Sequence, residues 1–214
     1  MGALHQGHMS LINKSNEENE VTVTSVFVNP TQFNEKKDLD KYPRNLKKDA
    51  ALLKANNCDY IFAPSVSQIY PKTGLPEIDL DISHLTQNME GPNRPGHFEG
   101  VVQVVHRLLK IIEPDNLYMG QKDFQQFTII GHMLKTLKMK TRLRVCPIIR
   151  SEDGLAMSSR NVRLAKKIRP QCNIIFKTLS EAKDNLKKKS TKAIEAKALK
   201  NFAIKDFKAE YFKI

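Results

Sequence analysis

Residues 97–112, HFEGVVQVVHRLLKII, carry apolar side chains around most of the circumference that a helix would present. A helix of that kind has to be covered on more than one side, so it belongs between two layers of a larger fold. It is too short, and too interrupted by Gln103, His106, Arg107 and Lys110, to span a bilayer. What surrounds it must therefore supply the layers. Residues 20–28 are β-branched and end in the continuous apolar run Val26-Phe27-Val28, the pattern of a buried parallel strand. Asn29-Pro30 breaks it. A helix is predicted over 45–57 with Leu46, Ala50 and Leu53 on one face, then a strand over 58–63 stopped by Pro64. Residues 78–82 (IDLDI) alternate as a half-exposed strand would. Beyond the buried helix come a strand at 117–119, a helix over 123–137 and a strand over 141–146. This alternation predicts an α/β fold, a Rossmann-like doubly wound parallel sheet with ligands at the carboxyl ends of its strands.

The pattern changes after Pro147. Ile168, Cys172, Ile175, Leu179, Ala182 and Leu186 make one helical stripe, with Pro170 tolerable in its first turn. Ser190 can cap a second helix bearing Ile194, Leu199 and Phe202, and residues 209–214 read as a closing strand. The expected division is a nucleotide- and substrate-binding domain over 1–148 and a smaller α+β domain over 149–214.

The first dozen residues, MGALHQGHMSLI, place His5 and His8 three apart in a glycine-bearing turn that opens a helix. A helix N-terminus favours a polyphosphate, and two imidazoles at this spacing can donate to a phosphate that gains charge in a transition state. Four further clusters lie in loops at the ends of predicted elements: Asn29-Pro30-Thr31-Gln32-Phe33, Arg94-Pro95-Gly96-His97-Phe98, Gly120 to Gln126, and Asp153 to Asn161. Any one of them alone reads more simply as a cap, a surface ion pair or loop filler. Their coincidence with the histidine turn points to a nucleotide-using active site.

Charge and thiols bound the alternatives. The formal net charge is +12, and residues 165–214 hold 14 Lys/Arg against 5 Asp/Glu, or +9 of it. Those lysines recur on the polar side of helical patterns, so a solvated basic face is the expected reading rather than nucleic-acid binding. A basic nucleic-acid-binding protein on an old nucleotidyltransferase core would explain the charge but not the motif set. A metal site at His5, His8 and His97 is disfavoured, because no carboxylate lies adjacent to complete it. Cys58, Cys146 and Cys172 are scattered and odd in number, as free thiols in a reducing cytoplasm would be. Neither a signal-peptide pattern nor a membrane span is seen, and a soluble protein is expected.

The runs MGALHQGH, FVNPTQF, DLDKYPR, RPGHFEGVV, GQKDFQQ and DGLAMSSRN, in that order, resemble the pantoate–β-alanine ligase (pantothenate synthetase) family over nearly the whole chain. The resemblance implies ATP-dependent condensation of pantoate with β-alanine through a pantoyl adenylate, releasing AMP and pyrophosphate, with Mg²⁺ required and a homodimer usual. It implies that His5 and His8 sit on the ATP phosphates, that Lys122 neutralises phosphate charge, and that Ser158, Ser159 and Arg160 hold the β- and γ-phosphates. Met1, Gly120, Asp123, Ile149 and Met157 would frame the adenosine. Gln32 and Gln126 would bind pantoate, with Asn29, Arg94 and His97 close by. The smaller domain would be the lid over ATP. The Mg²⁺ ligands are not assigned. Another adenylyl- or cytidylyltransferase with paired histidines would fit His5 and His8 equally well but gives no reason for Gln32 with Gln126. The family carries a strand and a Pro-Thr pair ahead of the position of Met1, a Glu where Gln121 stands, and further strands beyond Ile214; an upstream segment ending in Pro-Thr is therefore expected.

Overall fold

The computed structural model describes residues 2–33, 36–204 and 207–214, with the side chains of Lys36 and Asp38 left aside. It divides into two compact units, Met1–Ile148 and Ile149–Ile214.

The first unit opens with α1 (Gln6–Glu18), followed by β1 (Val23–Ser25), a 3₁₀ turn (Pro30–Gln32), α2 (Lys36–Asp40), α3 (Leu46–Ala55) and β2 (Tyr60–Phe62). Three one-turn helices come next, α4 (Val66–Ile69), α5 (Ser83–Thr86) and α6 (Glu90–Asn93). The unit ends with α7 (His97–Ile112), β3 (Asn116–Gly120), α8 (Phe124–Thr136) and β4 (Arg142–Cys146). The strands form two parallel pairs, β1 with β2 and β3 with β4. The α/β character and parallel pairing are those expected; among the described residues, however, no strand bridges the two pairs into one sheet.

α7 spans the residues predicted for it and is the hub of the larger core. Phe98, Val101, Val102 and Leu109 pack with Ile129, Ile130, Met133 and Leu134 of α8 and with Ile82. Each such side chain contributes about 1.5–3 kcal/mol when fully buried. Residues 78–82 form no strand: Ile78, Leu80 and Ile82 do alternate inward onto this core, but the segment pairs with no ladder. Alternation reports which side chains are buried, and a strand also needs a hydrogen-bonding neighbour. A second cluster, Leu4, Met9, Ile12 and Leu53, joins the start of the chain to α3. Val26 to Val28, predicted as a buried strand end, are only half-buried and follow β1 as irregular chain.

The second unit contains a 3₁₀ helix (Ser159–Arg163), another (Arg169–Asn173), α9 (Ile174–Asn185) and α10 (Thr191–Asn201), capped by Ser190 as expected. The apolar stripe forecast for α9 is rotated. Cys172, Thr178 and Ala182 are buried, while Ile175, Leu179 and Leu186 are exposed. In α10, Ile194, Ala198 and Phe202 are buried, whereas Leu199 is exposed. Residues 209–214 are not a strand.

Candidate active site

The histidine turn is built from its own backbone. His5 is the N-cap of α1; its Nδ1 accepts from the Gly7 N–H at 3.1 Å, and the Nδ1 of His8 accepts from the His5 N–H at 3.3 Å. The two rings lie 4.0 Å apart between centroids, tilted by 37°. An imidazole nitrogen that accepts cannot carry the proton, so both rings, when neutral, bear it on Nε2. The turn thus prepares two neutral N–H donors side by side at a helix N-terminus, the arrangement suited to a developing phosphate charge.

Electrostatics keep them neutral. Burial, then the neighbouring His5 and the cation of Lys122, push the His8 pKa down from 6.5 to about 3. Burial and Lys122 lower His5 as well. With the folded pKa depressed, the unfolded chain binds more protons between the two values, so stability rises with pH from about 3 to 6.5 and is complete above that window. The effect is on the order of a few kcal/mol. His8→Gln should flatten that acid limb relative to the unsubstituted protein in melting temperatures measured against pH. Parallel limbs would show that His8 is not held neutral.

Lys122 and Asp123 follow Gly120, where β3 ends. The Gln121 N–H bonds the Cys146 carbonyl at 2.8 Å, tying this turn to β4. The Lys122 ammonium donates to the Asp123 carboxylate at 2.7 Å, with the lysine side chain 37% exposed. Such an ion pair is worth at most about 1 kcal/mol, so Lys122 can leave it for a phosphate at little cost.

The segment after β1 carries the amides. Asn29 is buried: its Oδ1 accepts from the Tyr70 hydroxyl at 2.7 Å and the Thr31 hydroxyl at 3.1 Å, and its Nδ2 donates to the Gly100 carbonyl at 3.2 Å. Asn29 is thus a brace between this turn and α7. Gly100 permits the approach, since a Cβ there would lie 2.8 Å from the Thr31 carbonyl oxygen. The Gln32 carbonyl accepts from His97 Nδ1 at 2.8 Å and from the Arg94 guanidinium at 3.4 Å. A carbonyl only accepts, so His97 carries its proton on Nδ1, the reverse of His5 and His8. Both residues fix the backbone at Gln32, whose side-chain Oε1 has a long contact of 3.5 Å with the Asn29 amide.

The two adjacent glutamines of α8 differ in their bonding. Gln125 is buried and its side chain bonds the Glu90 N–H and the carbonyls of Leu85 and Asn88, all within 3.0 Å. Gln126 is half-buried, and its amide has no hydrogen-bond partner among the described residues.

In the second unit Ser158 caps the 3₁₀ helix, its hydroxyl accepting from the Arg160 N–H at 3.3 Å, while Ser159 is buried and Arg160 exposed. The Met157 N–H bonds the Ile149 carbonyl at 3.0 Å. The preceding hairpin is held by Arg169, which grips Asp153 at 2.5 Å and Ser151 at 3.1 Å and keeps the Asp153 carboxyl below its usual range. Its turn glycine, Gly154, has φ +90°, and a Cβ there would run into the Phe176 ring. Met1, expected beside the adenosine, lies outside the described residues.

Thus His5, His8 and Lys122 share one electrostatic neighbourhood, and Asn29, Gln32, Arg94 and His97 share one hydrogen-bonded network. Sequence reasoning misses Tyr70 and Arg169, and nothing in their spacing marks them. It misses Asp49 too, although a carboxylate between the forecast core positions Leu46 and Leu53 is a signal. Among the described residues there is no group of three or more His, Cys, Asp or Glu that could hold a metal ion, at His5, His8 and His97 or elsewhere. No helix among them is long and apolar enough to cross a membrane.

Comparison with known proteins converges on one family. The family model for pantoate-beta-alanine ligase matches residues 1–214. The pantothenate synthetase of Azobacteroides pseudotrichonymphae is 45% identical over 214 residues, covering 99% of this chain and 76% of the relative. That of Acetivibrio thermocellus is 44% identical over 98% of this chain and 73% of its own length. The crystal structure of pantothenate synthetase from Thermus thermophilus superposes with a TM-score of 0.93 at 36% identity, over 99% of this chain and 77% of that one. The Francisella tularensis pantoate-beta-alanine ligase, solved in complex with beta-gamma ATP and beta-alanine, gives a TM-score of 0.76 at 37% identity, over 94% of this chain and 76% of that one. The chain belongs to the pantoate–β-alanine ligase family.

Proposed function

We propose that this protein condenses pantoate with β-alanine at the expense of ATP, through a pantoyl adenylate, releasing AMP and pyrophosphate. The observation that carries the reading is the family match over residues 1–214. The histidine turn supports it as the site of the first half-reaction. His5 and His8 donate from Nε2 to the α-phosphate as the pantoate carboxylate attacks the α-phosphorus. Lys122 neutralises the charge that builds there. Ser158, Ser159 and Arg160 of the second unit donate to the β- and γ-phosphates and to the departing pyrophosphate. Gly120, Asp123, Ile149 and Met157 border the adenosine. Gln32 and Gln126 hydrogen-bond pantoate, with Asn29, Arg94 and His97 holding the Gln32 turn. The protein supplies position and charge stabilisation and forms no covalent bond of its own. In the second half-reaction the β-alanine amine attacks the acyl carbon and AMP leaves.

Mg²⁺ belongs to the reaction by family resemblance. Among the described residues no group of three or more His, Cys, Asp or Glu gathers to hold it. The reading extends to a homodimer in the cytoplasm. The three free thiols fit a reducing compartment, and the mass in sedimentation tests the dimer.

The chemistry is tested by exchange of labelled pyrophosphate into ATP without β-alanine. Exchange that requires pantoate, ATP and Mg²⁺ and nothing else is the expected result. Formation of ADP, or binding of nucleic acid with no exchange, would overturn the reading.

A further inference from the structure

The chain approaches the histidine turn through an unfavourable conformation. Ala3 has φ +50°, in the left-handed region, which costs a residue with a Cβ roughly 1–2 kcal/mol. Such a conformation persists only where the surroundings impose it. The imposing group is Asp49, on α3, which is 3% exposed. Its Oδ2 accepts from the Ala3 N–H at 3.0 Å and its Oδ1 from the Leu4 N–H at 2.7 Å, so one buried carboxylate spans the kink. One helical turn further along α3, Leu53 is fully buried against Leu4 and Met9 on either side of the histidines. The hydrogen bonds set the direction in which the chain enters α1, while the apolar contact contributes stability. The next residue after Leu4 is His5, whose ring and that of His8 are then oriented by N–H groups of the same short turn.

We propose that Asp49 is a positioning residue for the adenylation step. It touches no substrate and acts through the Ala3–Leu4 backbone, aiming the Nε2–H donors of His5 and His8. The inference rests on the role given to those histidines above. A carboxylate suits this task better than an amide. Both oxygens accept, and charge-assisted bonds to N–H groups are about twice as strong as neutral ones. In Asp49→Asn one acceptor becomes an NH₂ facing a backbone N–H, so the kink loses one anchor with almost no change in volume. A misplacement of about 1 Å at the reacting groups costs on the order of 10²-fold in rate.

The test compares Asp49→Asn with Leu53→Ala, which loosens the same packing without touching the hydrogen bonds. Each is measured for pyrophosphate-exchange kcat and pantoate KM, for thermal unfolding, and for the histidine ring ¹⁵N–¹H correlations that report the tautomer. For Asp49→Asn we expect kcat to fall about 10–10²-fold at a temperature where the variant is folded, with the pantoate KM unchanged. The His5 and His8 spectra should move from a single Nε2–H form to a mixture. Leu53→Ala should melt lower yet keep kcat and the spectra. If Asp49→Asn does not fold, Asp49→Glu, which keeps charge and acceptors but displaces them by one methylene, carries the same expectation. Equal kcat losses in the two variants at matched stability, or unchanged histidine spectra in the Asp49 variant, would overturn the proposal. His5→Ala and His8→Ala are run alongside. Exchange indifferent to both would sink the histidine reading itself, while the spectra still decide whether Asp49 sets the rings.

Discussion

His8→Ala should slow pantoate-dependent pyrophosphate exchange by about 10²–10³-fold, the usual loss when one preorganised donor to a developing oxyanion is removed. Lys122→Ala should cost at least as much, because it strips a full charge from a site where charges interact strongly once water is excluded. The two losses have different origins. His8 is a neutral donor held in place by the His5 N–H, so its contribution is directional. Lys122 rests on Asp123 at the surface and contributes charge without fixed direction. Lys122→Arg should therefore recover part of the rate, whereas His8→Lys should recover none, since a lysine offers no acceptor for the His5 N–H that orients the ring. Steady-state exchange with saturating ATP and pantoate separates these outcomes from binding. Exchange undiminished in both alanine variants would remove His8 and Lys122 from the chemistry.

How far the amino-acid sequence reveals this arrangement depends on the kind of signal. α7 is legible end to end, because its apolar residues fill one broad face while Glu99, Gln103, His106, Arg107 and Lys110 gather on the other. The cap at Ser190 is equally plain: its side chain accepts the Ala193 N–H in the first turn of α10. Expectation and structure part where one dimension is not enough. Residues 78–82 bury alternate side chains without a strand partner, and a ladder partner is a property of the fold, not of the segment. α9 buries Thr178 with Ala182 and leaves Leu179 exposed, because α10 lies along the flank of α9 that carries Thr178 and Glu181, to both of which Asn201 of α10 donates. At the site, the histidines are legible from their spacing. The tautomers are not, since they depend on which backbone N–H each Nδ1 meets. Asp49 escapes notice for a similar reason: its task is to satisfy N–H groups forty-five and forty-six residues away in the chain.

The adjacent glutamines of α8 give the sharpest contrast between a residue that holds the fold and one proposed to bind pantoate. Gln125→Ala would orphan the Glu90 N–H and the carbonyls of Leu85 and Asn88 at once, in a place with little water. Each buried group left unsatisfied costs about 1–3 kcal/mol, so the variant should lose several kcal/mol against a folding margin of about 5–15 kcal/mol. Its melting temperature should drop, and whatever fraction remains folded should bind pantoate and ATP much as before. Gln126→Ala removes an amide with no hydrogen-bond partner among the described residues, so stability should change by no more than about 0.5 kcal/mol. What it should change is the pantoate KM, raised at least about tenfold by the loss of a hydrogen bond to a charged carboxylate or its hydroxyl neighbour, with the ATP KM nearly constant. Gln32→Ala should resemble Gln126→Ala, because its backbone carbonyl, and with it the contacts to His97 and Arg94, survives the substitution. Thermal melts and initial rates over both substrates decide it. A Gln126→Ala protein that melts like Gln125→Ala, or that loses affinity for ATP and pantoate equally, would assign Gln126 to the scaffold and leave pantoate without its second amide.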